Sequence, residues 1–252
     1  MDFASDFANF LQKENISFSR DGFLFFFSNA NIKIKLIETK NFKSFIREDG
    51  IIYLYEDRWS RATDAFRQRI LAHLSIYRQI FARKCTIRHI DSPTATAFLN
   101  THHSYGMAKA KYKYGMYEGD QLVAVSLFSS PPTIPRIIKG QEIKLRSYEW
   151  VRYASLSDCR ISGGMSKMLS YFEKEIQPDE IMSYADLEWS QGEVYSRIGF
   201  EKAGVRAPVK FWIDKNTHER LRQSTPDSYE IENLGSLKFL KLITNFAARI
   251  SE

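Results

Sequence analysis

The sequence predicts a mixed α/β (α+β) architecture, and three observations carry that expectation. Each half of the chain contains a hairpin pattern, the second half continues as strand, helix, strand, helix, strand, and the first of those crossovers is the stretch RISGGMSKML, residues 160–169. A strand–helix–strand crossover implies a parallel pair within an otherwise antiparallel sheet. With 252 residues, 44% hydrophobic and 14% aromatic, the chain is long and apolar enough for one large domain or two modest ones.

The elements follow in order. Residues 2–13 suit a first helix, and FLFFFSNANIKIKLIE reads as two β-rich runs around the turn-prone Ser28, Asn29, Ala30 and Asn31. GIIYLYE (50–56) is a short apolar strand. In SRATDAFRQRILAHLSIYRQIFARK, Ile70, Leu71, Leu74, Tyr77, Ile80 and Phe81 fall at helical spacing, so one long helix is expected. DSPTAT (91–96) marks a change of composition before the helix ATAFLNTHH. These features place a junction near residue 88, between a small α/β domain (1–88) and a larger one (89–252). KYKYGMYEGDQLVAVSLFSS is a hairpin turning at Glu118, Gly119 and Asp120. SYEWVRYASL is a strand, GGMSKMLSYFEKEI a helix with Met165, Met168, Leu169 and Phe172 on one face, DEIMSYADLEW a strand, SQGEVYSRIGF a short helix, and VKFWID a final strand.

Composition narrows the partners. The chain has 36 Lys and Arg against 30 Asp and Glu, a net charge of +6, which favours an anionic partner without demanding nucleic acid. No run of about 18 apolar residues suggests a membrane span, and MDFASDFANF lacks the basic-then-apolar pattern of a signal peptide, so a cytoplasmic protein is expected. Cys85 and Cys159 have no metal-ligand spacing and read as ordinary thiols; no metal site is expected.

The glycine pair raises the functional question. Gly163 and Gly164 precede a helix, where they either make a tight turn or let an anion approach the free amides and the positive helix end. Arg160 adds a fixed cation and Lys167 a mobile one.

Taken together, EWVRYASL, RISGGMSKML, IMSYADLEW and VYSRIGF resemble the central motifs of the GNAT acyltransferase superfamily, over roughly residues 95–215. In that family an Arg/Gln-x-x-Gly-x-Gly/Ala turn holds the pyrophosphate of coenzyme A, and a later helix carries Tyr-x-x-x-Gly-Phe. The tyrosine segment is intact at Tyr195–Phe200, while the last glycine of the phosphate turn is replaced. The resemblance therefore implies acetyl-CoA or another acyl-CoA as donor, bound by Arg160, Ile161, Ser162, Gly163, Gly164, Met165, Ser166 and Lys167. Gly164→Glu is then expected to abolish donor binding and leave the fold intact.

A narrower likeness joins HSYG and YGMYEGDQLVAVSLFS to these motifs, which together resemble phage GNAT-like domains, including the Mom-type DNA-modification proteins. It implies an exocyclic nucleobase amine as acceptor, DNA as a partner, and Arg152, Ser166, Asp186 and Tyr195 as residues of interest. The first half resembles a Vsr-type endonuclease-like domain in degenerate form. Phe25 or Phe26 and Lys35 stand where such a nuclease needs carboxylates, leaving Glu38 and Glu56 without obvious partners.

Each candidate has a structural alternative. Tyr195 is a packing ring or the general acid for a departing thiolate. Asp186 is a structural acid or a catalytic one, taking the amine proton or orienting the acceptor. Arg152 requires a partner within its aromatic strand, for which Glu149 and Asp186 are the candidates. His103 and Glu149 are carried as substrate contacts, with His102 a weaker one. Lys109, Lys111 and Lys113 form a solvated face or a phosphate-contacting one. Three functions fit: an acyltransferase acting on a nucleobase amine, a non-catalytic nucleic-acid-binding protein, and a small-molecule amine acetyltransferase.

Overall fold

The computed structural model describes residues 2–28, 30–61, 64–138 and 140–243. They form two compact units that interleave along the chain. The first comprises Met1–Ile76, Ala185–Gln191 and Val205–Ser236, and the second Tyr77–Tyr184, Gly192–Gly204 and Leu237–Glu252. A single junction at residue 88 therefore does not describe the division.

In the first unit, helix α1 (Phe3–Lys13) starts where the Asp2 carboxylate accepts the Ser5 N–H at 2.8 Å, and it buries Phe3, Ala4, Phe7 and Leu11. It packs on a sheet whose order follows the chain: β1 (Ser19–Asp21), β2 (Leu24–Phe27), β3 (Ile32–Ile37) and β4 (Ile51–Tyr55). The β2–β3 hairpin is antiparallel and β4 joins β3 in parallel. Phe7 meets Phe25 edge-on at 4.9 Å, and Trp59, on α2 (Glu56–Ser60), at 5.3 Å. Glu56 does have a partner: its carboxylate accepts both N–H and hydroxyl of Thr39 at 2.8 Å. Among the described residues no group of three His, Cys, Asp or Glu side chains is placed to hold a metal.

Helix α3 (Asp64–His73) is shorter than its spacing predicts. Ser75 turns left-handed at φ 65° and the Ile76 N–H closes back on the Leu71 carbonyl at 2.8 Å, a helix-ending geometry. The stretch beyond becomes strand β5 (Arg78–Phe81), which belongs to the second unit because it pairs in parallel with β11 (Cys159–Ser162).

The second unit is built on an eight-stranded mixed sheet. Its strands in chain order are β6 (Cys85–His89), β7 (Tyr112–Glu118), β8 (Gln121–Phe128), β9 (Thr133–Ile138), β10 (Gln141–Ser155), β12 (Glu180–Asp186), β13 (Glu201–Arg206) and β17 (Ser236–Leu242). The order across the sheet is β13-β17-β12-β10-β8-β7-β6, with β9 paired to β10. Helix α4 (Ser92–His102) precedes the β7–β8 hairpin and buries Ala95, Phe98 and Leu99. Helix α5 (Gly164–Ile176) links β11 to β12, burying Met168, Leu169 and Phe172; the Phe172 ring stacks on Phe128 at 3.8 Å. Helix α6 (Glu193–Arg197) follows β12.

The VKFWID strand, β14 (Lys210–Asp214), does not close this sheet. It pairs instead with β15 (Arg220–Leu221) and β16 (Ser228–Glu232) in the first unit, and β17 takes the place beside β12. Cys85 and Cys159 are buried thiols, and burial pushes the Cys159 pKa up to about 11.

The first unit holds a buried ionic group. Arg220 meets Asp57 through Nε at 2.6 Å and Nη2 at 3.2 Å, and reaches Glu188 through Nη1 at 3.5 Å. Burial, with Asp186 adding to it, raises the Glu188 carboxyl from 4.5 to about 7 against the opposing pull of Arg220 and Arg58. The folded state thus holds this proton more tightly than the unfolded chain. The resulting stability is fully present below pH 4.5 and is lost as the pH rises through about 7. The urea midpoint of the wild type should therefore fall across this window relative to Glu188→Gln, which has no such proton to lose. Identical pH profiles for the two proteins would contradict the assignment.

Candidate active site

The site is organised by the way β10 and β12 meet and part. At one end the pair is clamped. The buried Glu180 carboxylate accepts Arg136 Nε and Nη2 at 2.9 and 2.8 Å together with the Ser147 hydroxyl, and Asp179 accepts the Arg146 N–H at 2.8 Å. The parallel ladder then runs over Ser147–Glu149 against Glu180–Met182 and stops. At this point β10 bulges, its register against β8 shifting between Trp150 and Arg152, and a bulge bends and twists the strand that carries it. The two strands part while β10 continues to Ser155 and β12 to Asp186.

Tyr195 stands at the opening. Its ring lies edge-on to Trp150 at 6.4 Å, against Phe200 at 5.6 Å and stacked on Phe239 at 5.1 Å. Its hydroxyl is 2.9 Å from Ser183 Oγ, which is itself 3.0 Å from the Trp150 carbonyl oxygen. A serine hydroxyl has one proton to give, so Ser183 donates either to the Trp150 carbonyl or to the Tyr195 oxygen, and in the second case the phenol proton stays free. Burial raises the Tyr195 pKa, partly opposed by the Ser183 hydrogen bond, and the phenol is protonated at neutral pH. The ring of Tyr195 packs, and its hydroxyl lies against Ser183.

The glycine turn has its own structural grounds. Gly163 caps α5 in the left-handed region at φ 75°, and Gly164 is buried where a Cβ would collide with the Tyr153 hydroxyl and lie 2.9 Å from Ile161 Cβ. Gly164→Glu cannot leave the fold intact, which corrects the expectation drawn from the sequence. A ligand would find here the first-turn amides, which no helical carbonyl can reach, and the positive end of the α5 dipole. Ile161 and Met165 are half-buried beside the turn, and Ser166 is exposed in the first turn of α5. Ser162 Oγ accepts a hydrogen bond from Gln79 Nε2 at 2.8 Å. Arg160 lies at the surface with Tyr77 and Tyr153 acting on it; desolvation lowers its pKa, but a guanidinium remains charged. Lys167 is not a mobile cation: its ammonium donates to the Ala82 carbonyl at 2.9 Å and to that of Cys85.

The remaining candidates are structural in their contacts. Arg152 donates to the Gly106 carbonyl at 3.2 Å and the Val151 carbonyl at 2.8 Å, and lies 5.8 Å from the Tyr105 ring centre. Glu149 is not at ion-pair distance from it; burial lowers the Arg152 pKa while Tyr105 and Glu149 oppose that. His103 Nδ1 accepts the Tyr105 N–H at 3.0 Å, within the loop that Arg152 holds. His102 Nδ1 lies 2.8 Å from Ser157 Oγ, and desolvation lowers its pKa. The Glu149 N–H donates to Ser129 Oγ at 2.9 Å, and its side chain is half-buried. Asp186 Oδ1 accepts the Glu188 N–H at 2.9 Å, capping the turn after β12, and Asp186 falls in the first unit. The three catalytic candidates are thus split, with Arg152 and Tyr195 in the second unit. Sequence reasoning missed Ser183, whose signal was a hydroxyl within the apolar run IMSYA: a buried one requires a partner.

No protein-family description matches the sequence, and no curated protein matches it. Similar solved structures exist. A GNAT family acetyltransferase from Elizabethkingia anophelis with acetyl-CoA bound has a TM-score of 0.40 at 8% identity, covering 64% of this chain and 99% of its own. The ribosomal-protein-S18-alanine N-acetyltransferase of Escherichia coli has a TM-score of 0.39 at 12% identity, covering 63% and 94%. A spermidine/spermine N-acetyltransferase from Vibrio cholerae has a TM-score of 0.39 at 11% identity, covering 67% and 98%. Likenesses of this size leave function to the geometry of the site. Among the described residues no helix is long and apolar enough to cross a membrane.

The two glycines separate by substitution. Gly164→Ala should cost about 1–3 kcal/mol from overpacking against Tyr153 and Ile161. Gly163→Ala has room, the nearest atom being Ala82 Cβ at 3.7 Å, and should lose only about 1 kcal/mol from its left-handed backbone. Chemical denaturation measures both; equal losses would contradict the packing at Gly164.

Proposed function

We propose that the second unit is an acyl-CoA-dependent N-acyltransferase, using acetyl-CoA or another acyl-CoA. The observation that carries this reading is the opening of the β10–β12 ladder at the point where the Tyr195 and Ser183 hydroxyls stand. A parted parallel pair offers backbone groups of β10 to an extended amide-bearing arm, as an added strand would use them. The first-turn amides of α5 suit the pyrophosphate at the other end of that arm, and Tyr153, whose hydroxyl borders Gly164, links the two places along β10.

Acyl transfer to an amine then needs positioning and proton management. The amine nitrogen attacks the thioester carbonyl, and collapse of the tetrahedral intermediate breaks the carbon–sulfur bond. Tyr195, protonated at neutral pH, gives its proton to the departing thiolate; the acylated nitrogen sheds one proton to solvent, and solvent returns one to the phenolate, so the cycle closes. The Ser183 hydroxyl, backed by the Trp150 carbonyl, holds the phenol in place. Asp186 is engaged in its own turn, so no step is routed through it.

For the acceptor we propose an exocyclic nucleobase amine, as the Mom-type resemblance implies. The net charge of +6 and the exposed Lys109 and Lys111 support an anionic polymer. A stacked base would first have to leave the duplex, so single-stranded DNA is the better substrate.

Two variants test the reading. Ser166→Glu puts a negative charge in the first turn of α5, which suits the helix dipole yet repels an anion, so stability should hold while acetyl-CoA affinity falls about tenfold or more. Tyr195→Phe should keep donor affinity and lose about ten- to a thousand-fold in turnover. Unchanged affinity in the first and unchanged turnover in the second would overturn the site. Transfer to a polyamine but not to single-stranded DNA would replace the nucleobase acceptor with a small amine.

A further inference from the structure

The two-stranded β5–β11 sheet lies directly beside the proposed pyrophosphate turn, and its exposed face is built from a particular set of residues. The register pairs Arg160 with Gln79, Ile161 with Ile80, and Ser162 with Phe81. Alternation buries Ile80, half-buries Ile161, and turns Gln79, Phe81, Arg160 and Ser162 outward. Phe81 is 40% exposed, with the Arg83 guanidinium 5.2 Å from its ring centre. The Gln79–Ser162 hydrogen bond ties the two strands together on this face. Lys167 holds the following turn by donating to the carbonyls of Ala82 and Cys85, on either side of Arg83 and Lys84. Residues 76–90 contain four Arg and Lys and no acid. Arg78 is engaged with Glu118 and Asp158, whereas Arg83 and Lys84 have no carboxylate at ion-pair distance among the described residues.

We propose that this face binds the adenosine 3′-phosphate end of the donor, Phe81 stacking on the adenine and Arg83 binding the 3′-phosphate. The inference rests on the acyl-CoA reading above. In coenzyme A only a ribose separates the pyrophosphate from both the base and the 3′-phosphate. The sideways step from β11 to β5, about 4.8 Å, is therefore within reach of that nucleoside. An aromatic face takes a purine by stacking, and a guanidinium takes a phosphate in paired hydrogen bonds. Lys167 acts as a positioning residue for Arg83, which accounts for its being held by backbone carbonyls instead of facing the turn.

Calorimetric titration of the full chain with coenzyme A and with dephospho-coenzyme A, which lacks only the 3′-phosphate, tests the assignment. The wild type should bind coenzyme A roughly tenfold more tightly than the dephospho form. Arg83→Glu should erase that preference while leaving dephospho-coenzyme A affinity and melting temperature within about twofold and a degree or two, and Arg83→Lys should keep part of it. Phe81→Ala should weaken both ligands. Equal wild-type affinity for the two compounds, or an Arg83→Glu loss shared equally between them, would overturn the inference and leave donor binding standing. Binding of neither compound would overturn the donor reading and this inference with it.

Discussion

The second unit depends on one short parallel ladder, three residues long on each strand, held shut at one end and released at the other. The closed end uses buried charge. Glu180 is almost wholly buried, and the bidentate Arg136 contact with the Ser147 hydroxyl satisfies its oxygens. A buried carboxylate without those donors would be costly, so the clamp fixes the register from which the strands diverge. The open end uses geometry: the bulge around Val151 turns β10 away from β12, and the gap is bordered by hydroxyls and a carbonyl. The same ladder thus joins a rigid anchor to the point where the two strands part.

Packing then ties the helix start to that opening. The aromatic layer of Phe128, Trp150 and Phe172 fixes α5 over the sheet, and Tyr153 reaches from β10 to the first residue of the helix. Gly164 is small because the Tyr153 hydroxyl is there; Gly163 is glycine because the chain turns left-handed there. The features that make the turn tight also leave the first-turn amides without helical partners.

Much of this was legible in the sequence because it is written in local patterns. The glycine turn, the tyrosine five residues before Phe200, and the hairpins all follow from spacing and turn chemistry. What was not legible depends on distant partners. The helical spacing of Tyr77, Ile80 and Phe81 fits a longer α3, but pairing with β11 claims Ile80 and Phe81 for a strand. VKFWID has the pattern of a closing strand, yet the pairing partner that decides its sheet, Ser228–Glu232, comes later in the chain. Arg152 was expected to find a carboxylate and is met by two carbonyls and a ring; Lys167 was expected at the turn and is held elsewhere. Side-chain charge announces that a partner is needed without saying which polar group supplies it.

The central claim is that an acyl-CoA lies along the parted strands with its pyrophosphate on the α5 turn. Amide hydrogen exchange with and without saturating acetyl-CoA measures this most directly, since it reports backbone groups one segment at a time. The account predicts slowed exchange in residues 151–155 and 163–168, with the β1–β4 sheet of the first unit unchanged. No slowing in either segment at saturating ligand, or slowing confined to the first unit, would contradict it.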